Sequence, residues 1–201
     1  MSQNFIPIQQ EYLPKAWARS IQELKEALPA HYTEDCFYFQ AFGEPCELHA
    51  DKTLLSGELL SGHEGILIAM YASFVTNEPV QRQPLKAFKQ FPGGMGYQGA
   101  FAMNAEKALH SHIKLIKNHQ DEVITRFSGH PNLDAKRCDF SFTLFPLPRV
   151  GLYYIFKLPD EEFLASVTCL FASNADRFLP VAGLADTAEY TAKKIIEIVT
   201  Q

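Results

Sequence analysis

The chain has 201 residues, with 18 basic against 23 acidic side chains and a net charge of −5. Apolar residues at 47% and charged residues at 20% describe a folded globular protein, not a disordered or fibrous one. There is no run of about 20 apolar residues to span a bilayer, the acidic balance opposes attraction to nucleic-acid phosphates, and Met1-Ser2-Gln3-Asn4-Phe5 does not have the basic-then-apolar order of a secretory signal.

A first helix is predicted from Pro14 to Leu28, since Trp17, Ile21, Leu24 and Leu28 repeat at three to four residues and Pro29 ends the run. Cys36 to Phe42 is aromatic-rich and bounded by Gly43 and Pro45, which predicts a strand. Cys46–His49 and Thr53–Leu55 extend it into a meander of short strands. A second helix starts near Gly62 and covers Ile66–Val75; it is apolar nearly all round and is expected to be buried. Asn77–Pro84 is a loop.

Asn104 is expected to cap a helix reaching Asn118, followed by a second helical piece over Asp121–Phe127. Cys138–Phe145 alternates cleanly, as a half-buried strand does. Val150–Leu158 and Phe163–Phe171 are strands joined by the acidic turn Pro159-Asp160-Glu161-Glu162, forming an antiparallel hairpin. An amphipathic helix over Leu184–Val199 closes the chain. Helices and strands come in separate runs, so the expected class is α+β: one domain over residues 1–201, a mostly antiparallel sheet packed against several helices.

Cys36, Cys46, Cys138 and Cys169 include no C-x-x-C pair, a poor spacing for a zinc or iron–sulfur site. Cys138 and Cys169 fall on the apolar side of their strands, where a thiol behaves as a small hydrophobe. Reduced structural cysteines in a cytoplasmic protein are therefore expected, with no metal site. Gly94-Met95-Gly96-Tyr97-Gln98-Gly99 is a literal G-x-G-x-x-G. Lys86, Lys89, Gln90 and Pro92 precede it where a dinucleotide site needs a buried parallel strand, and the predicted helix starts only at Asn104. The string reads as a loop or tight turn.

His110 and His112 are two residues apart, which on a helix turns them about 200° away from each other. His112 and His119 share a face but sit about 10 Å apart, too far for one ion. A haem or corrinoid needs only one axial histidine, which leaves His112 a single-ligand role. His63-Glu64 has no second histidine of H-E-x-x-H, and no nucleophile elbow or phosphate loop is present. Glu44 and Glu47 read as solvated carboxylates. Arg149 follows Phe145-Pro146-Leu147-Pro148, a corner stiffened by two prolines. An arginine held there can clamp a carboxylate or phosphate at two points, or fix the corner through an internal salt bridge.

Phe88-Lys89-Gln90-Phe91-Pro92-Gly93-Gly94, Phe145-Pro146-Leu147-Pro148-Arg149-Val150, Asp160-Glu161-Glu162-Phe163, Leu170-Phe171-Ala172-Ser173 and Leu179-Pro180 follow one another in that order. Together they resemble the prokaryotic domain-of-unknown-function family 3786, over about residues 33–199. The resemblance implies a cytosolic protein of anaerobic bacteria or archaea. Some members carry an added four-cysteine segment similar to that of the corrinoid/iron–sulfur protein, and this chain has no such segment. In the family pattern an aspartate follows the Leu-Phe pair and a histidine stands two residues before the Leu-Pro pair; here Ala172 and Arg177 occupy those places.

Three functions fit these features. The first is a small-molecule, cofactor-binding or accessory protein in anaerobic one-carbon or redox metabolism, with no cofactor demonstrable from the sequence and a corrinoid or haem as the candidates. The second is an enzyme on a small anionic substrate, with Arg149 as anchor and His63 or His112 as general base. The third is a protein-interaction module with an exposed apolar patch. The expectation leans away from an enzyme, with no nucleic-acid or membrane partner. Arg149, His63 and His112 are the ligand-binding candidates.

Overall fold

The computed structural model describes residues 5–132, 138–161 and 163–201; the first four residues, read above for a leader, and Glu162 of the acidic turn lie outside them. Among the described residues the strands form two antiparallel sheets. The first is a meander in sequence order: β1 (His31–Thr33), β2 (Cys36–Ala41), β3 (Glu44–Leu48), β4 (Thr53–Leu55) and β5 (Glu58–Leu59). The second contains β6 (Lys86–Ala87), β7 (His130–Pro131), β8 (Phe140–Leu147), β9 (Val150–Lys157) and β10 (Ser166–Phe171), ordered β6-β10-β9-β8-β7. The α+β class is as expected, with the antiparallel strands divided between two sheets.

The N-terminal helix differs from its prediction. It begins earlier and is broken into α1 (Phe5–Trp17) and α2 (Ile21–Ala27). Pro14 lies inside α1, where its missing N–H removes an i→i−4 bond, and α1 ends within a turn of it. Ser20 then starts a new helix by accepting from the Glu23 N–H at 3.1 Å. The central helix α3 (His63–Phe74) is as apolar as expected: Leu67, Ile68, Ala69, Tyr71 and Ala72 are fully buried. It packs against α1 and the C-terminal helix α7 (Val181–Thr200).

The segment before the second sheet also departs from its prediction. Helix begins at Gln98, not at Asn104, as α4 (Gln98–Phe101). It widens to a π-helix over Ala102–Glu106, tightens to a 3-10 helix over Lys107–His112, and resumes as α5 (Ile113–Asn118). Asn104 sits mid-helix and donates to Glu189 of α7 at 2.8 Å, while Glu106 accepts from the Cys169 N–H of β10 at 3.0 Å. These long-range anchors, together with the burial of Phe101, Ala105 and Leu109, set a helix phase that local propensity does not. Helix α6 (Gln120–Arg126) follows as predicted.

β8 and β9 pair directly across a tight turn at Pro148-Arg149, with a register shift between Leu144 and Leu147 that admits Pro146 into the strand. β9 and β10 form the expected antiparallel hairpin, and Val167, Cys169 and Phe171 face the core. One hydrophobic cluster runs from Leu13 to Val199 and takes in both sheets and the helices.

The glycine-rich string packs as a turn before α4. A Cβ on Gly94 would collide with the Phe88 carbonyl oxygen, whereas one on Gly99 meets open space. The short strand before it, β6, is an antiparallel edge strand, so the dinucleotide-binding setting is missing from both sides. Gly94→Ala should cost about 1–3 kcal/mol from overpacking, and Gly99→Ala should be neutral or stabilising by up to about 1 kcal/mol within a helix. Urea unfolding of the two variants checks this; equal effects would remove the packing explanation.

Candidate functional site

Arg149 is committed to the backbone. Its Nε donates to the Ala27 carbonyl at 2.7 Å, Nη2 to the Glu26 carbonyl at 2.9 Å and Nη1 to the Glu78 carbonyl at 3.0 Å. The first two are C-terminal carbonyls of α2, which have no intrahelical partner, and a cation there also suits the helix dipole. The Arg149 N–H donates to the Tyr71 hydroxyl at 3.2 Å, and burial pushes that phenol up from its ordinary range. The stiff corner read from the sequence thus clamps α2, α3 and the loop at Glu78.

His63 begins α3 and pairs through Nε2 with Asp186 of α7 at 3.2 Å. Tyr71 lies eight residues further along the same helix, about 12 Å away, so His63 and the Arg149 clamp stand at opposite ends of α3. His112 ends the 3-10 segment half-buried, its Nδ1 3.0 Å from the Ser111 hydroxyl. The structure does not bring His63 and Arg149 into one site. A groove of about 600 Å³ opens between α6 and the end of α7 over Phe42 and Phe127. Charges of both signs line it, and Lys194 there is already paired with Glu44 at 3.3 Å and Glu197 at 3.5 Å.

A different group of side chains converges on the first sheet. β2 and β3 are joined by Phe42 and Gly43, both at positive φ (51° and 79°), the geometry of a two-residue hairpin turn. That turn pairs Ala41 with Glu44, Tyr38 with Glu47 and Phe37 with Leu48, so Cys36 comes alongside His49 one step further on. Phe37, Phe39 and Ala41 point into the core, which sends Cys36 and Tyr38 to the opposite face, with Glu47 and His49 beside them.

There the Cys36 Sγ is 3.5 Å from the His49 Nε2, and the same nitrogen is 3.2 Å from the Glu47 Oε2. All three donor atoms lie within 4.8 Å of one another. Cys36 is fully buried, while the His49 and Glu47 side chains are 26% and 33% exposed. The backbone of His49 is held at both ends: its carbonyl accepts from the Trp17 Nε1 of α1 at 2.9 Å, and its N–H donates to the Lys52 carbonyl at 2.9 Å. Burial pushes the Cys36 thiol up and the Glu47 carboxylate acts the same way, against smaller opposing effects of the Tyr38 hydroxyl, the Leu48 backbone and the Lys52 charge.

Both neighbours of His49 use Nε2, so this is not a nucleophile–base–carboxylate relay, in which the carboxylate holds Nδ1. Sulfur, nitrogen and oxygen gathered this closely are also a donor set that a metal ion can take. In a tetrahedral zinc site the S···N and N···O separations come to about 3.6 and 3.4 Å, from bonds of about 2.3, 2.05 and 2.1 Å. Glu47, expected as a solvated carboxylate, is turned to His49, and Cys36 meets this pair across two strands. The signal in the sequence is Glu47-x-His49 on one face of a strand, with a hairpin turn at Phe42-Gly43 that brings Cys36 opposite.

Two outcomes follow for the first candidates. Arg149→Met should lower stability by on the order of 2–3 kcal/mol, because three carbonyls lose a charged donor; unchanged urea midpoints would overturn the clamp. The hydrogen bond that His63 donates to Asp186 raises the His63 pKa above its ordinary 6.5, with Glu64 and Glu189 acting the same way and burial opposing. A raised folded value stabilises fully below the unfolded pKa and is lost as pH rises through the folded one. Asp186→Asn should therefore destabilise at pH 5–6 and leave stability at pH 9 nearly unchanged, and a proton-NMR titration should show the His63 pKa falling.

No curated protein and no solved structure matches the chain. Residues 20–194, most of its length, match the profile of a family described as "Domain of unknown function (DUF3786)", and the chain belongs to that family.

Proposed function

We propose that this chain is a binding protein of accessory type whose ligand is a d-block metal ion of the zinc class, held by Cys36, Glu47 and His49. The observation that carries the reading is the gathering of three donor atoms within 4.8 Å of one another, Sγ to Nε2 at 3.5 Å and Nε2 to Oε2 at 3.2 Å, on a backbone held by Trp17 and Lys52. A thiolate with an imidazole and a carboxylate suits Zn²⁺, while Ca²⁺ and Mg²⁺ prefer oxygen donors alone. A reducing, cytoplasmic setting fits a site that depends on a free thiol, and Cys36 forms no disulfide. The alternative of an enzyme gripping a small anion through Arg149 has less support, because that guanidinium is engaged by three carbonyls.

Metal-stripped protein dialysed against excess Zn²⁺ and then against buffer should retain one ion per chain by mass spectrometry. Cys36→Ser and His49→Ala should abolish retention while keeping the wild-type circular dichroism, and Cys138→Ser should retain the ion. Retention well below one per chain in the wild type, or full retention in Cys36→Ser, would overturn the reading.

A further inference from the structure

Among the described residues, most of the exposed large apolar side chains gather in two places. The first is the segment that leads through α4 into the π-helix. Met95, 70% exposed, stands out there together with Tyr97 and Met103, and Gly96, Gly99 and Ala100 between them are exposed as well. Phe101 and Ala105 are buried beneath and fix this face. Positive charge borders it. Residues 79–105 hold Arg82, Lys86 and Lys89 and no acidic side chain. Lys89 is exposed beside Met95, since a Cβ on Gly94 would stand 3.5 Å from the Lys89 Cα, and exposed Lys107 follows Met103 by about one helical turn. The acids of this region are engaged elsewhere: Glu106 accepts from the Cys169 N–H, and Glu189 is held by Asn104 and Lys193.

The second place is the tip of the β9–β10 hairpin, where Phe163 is 69% and Leu164 90% exposed just after Asp160 and Glu161. The Asp160 N–H donates to the Phe163 carbonyl at 3.0 Å, and the Phe163 N–H donates back to the Asp160 Oδ1 at 2.7 Å. This closed turn holds an acidic, apolar knob out from the sheet. One chain does not cover its own patch with its own tip, since both are bare. β10 leaves the tip at Ser166 and meets Lys86 of β6 only at Phe171, about 17 Å further on.

Charge selects how two copies meet. Patch on patch sets Lys89 and Lys107 against their like, and tip on tip does the same for Asp160 and Glu161. Tip on patch brings opposite charges together around an apolar centre. The five exposed side chains leave roughly 650 Å² of apolar surface per chain, at about 200 Å² for a fully exposed side chain of this size. A standard interface buries about 800 Å² per partner. Independently of the metal reading, we propose that the chain forms a two-fold dimer in which the Phe163-Leu164 tip of each copy covers the Met95-Tyr97-Met103 face of the other. Two-fold symmetry lets each copy give one tip and accept one, so neither surface stays exposed.

Sedimentation velocity on the full chain tests this. The wild type should sediment as a dimer whose affinity falls as salt rises. A tip variant, Phe163→Ser with Leu164→Ser, and a patch variant, Met95→Ser with Met103→Ser, should each be monomeric with wild-type circular dichroism. Mixed together they should form a weaker heterodimer, because the intact tip of one still fits the intact patch of the other. Lys89→Glu, which leaves every apolar side chain in place, should weaken the dimer roughly tenfold. A monomeric wild type, a dimer that survives in either double variant, or a mixture that stays monomeric would each overturn the proposal.

Discussion

Phe42 and Gly43 reverse the chain between β2 and β3 in two residues, and much else depends on that reversal. A phenylalanine in the left-handed region costs about 1–2 kcal/mol. The cost is offset by burying its ring edge-on against Tyr190, with centroids 4.7 Å apart, and by its N–H donating to the Pro146 carbonyl of the second sheet at 2.6 Å. Gly43 is needed twice over, for its positive φ and because a Cβ there would press within 2.9 Å of Arg126. A slip of one residue in this register would turn Phe37 and Phe39 to solvent and part Cys36 from His49. The core and the candidate metal site are thus set by the same turn.

The helices depend on long-range hydrogen bonds of another kind. Arg149 satisfies the last carbonyls of α2, and Arg19 Nη1 donates to the Ala72 carbonyl near the end of α3 at 3.0 Å. Each guanidinium crosses from a distant part of the chain to close a helix end that has no capping glycine. An arginine at a proline-stiffened corner looks the same in sequence whether it clamps a ligand or a helix, because both roles ask for a rigid fork of donors. The difference lies in what stands in front of the fork, and that is a tertiary fact.

Much of the secondary structure was readable from pattern alone. The aromatic strand at Cys36, the buried helix after Gly62, the hairpin from Val150 to Phe171 and the C-terminal helix rest on periodicities of two and of three to four. The misplaced boundaries share a cause. Ser20 starts a second helix inside the run predicted as one, through its side-chain bond to the Glu23 N–H, and Asn104 is drawn into a helix interior by Glu189, 85 residues away. Both residue types can cap a helix or sit inside one, and their distant or local partners decide which. The candidate site was half legible: the strands and Glu47-x-His49 could be seen, but the pairing of Cys36 with His49 needs the turn register.

The amino-acid sequence by itself determined the α+β class, the burial of α3 and the alternation of the second sheet, because these follow from the spacing of apolar side chains along one chain. It also carried the ordered motifs by which the family is recognised. The tertiary structure alone decided which donors meet. Sulfur, nitrogen and oxygen from Cys36, His49 and Glu47 gather within 4.8 Å because two strands pair in one register, while His63 and Arg149 stay apart because they meet opposite ends of α3. Distance through space between residues far apart in sequence is set by packing, and no local pattern encodes it.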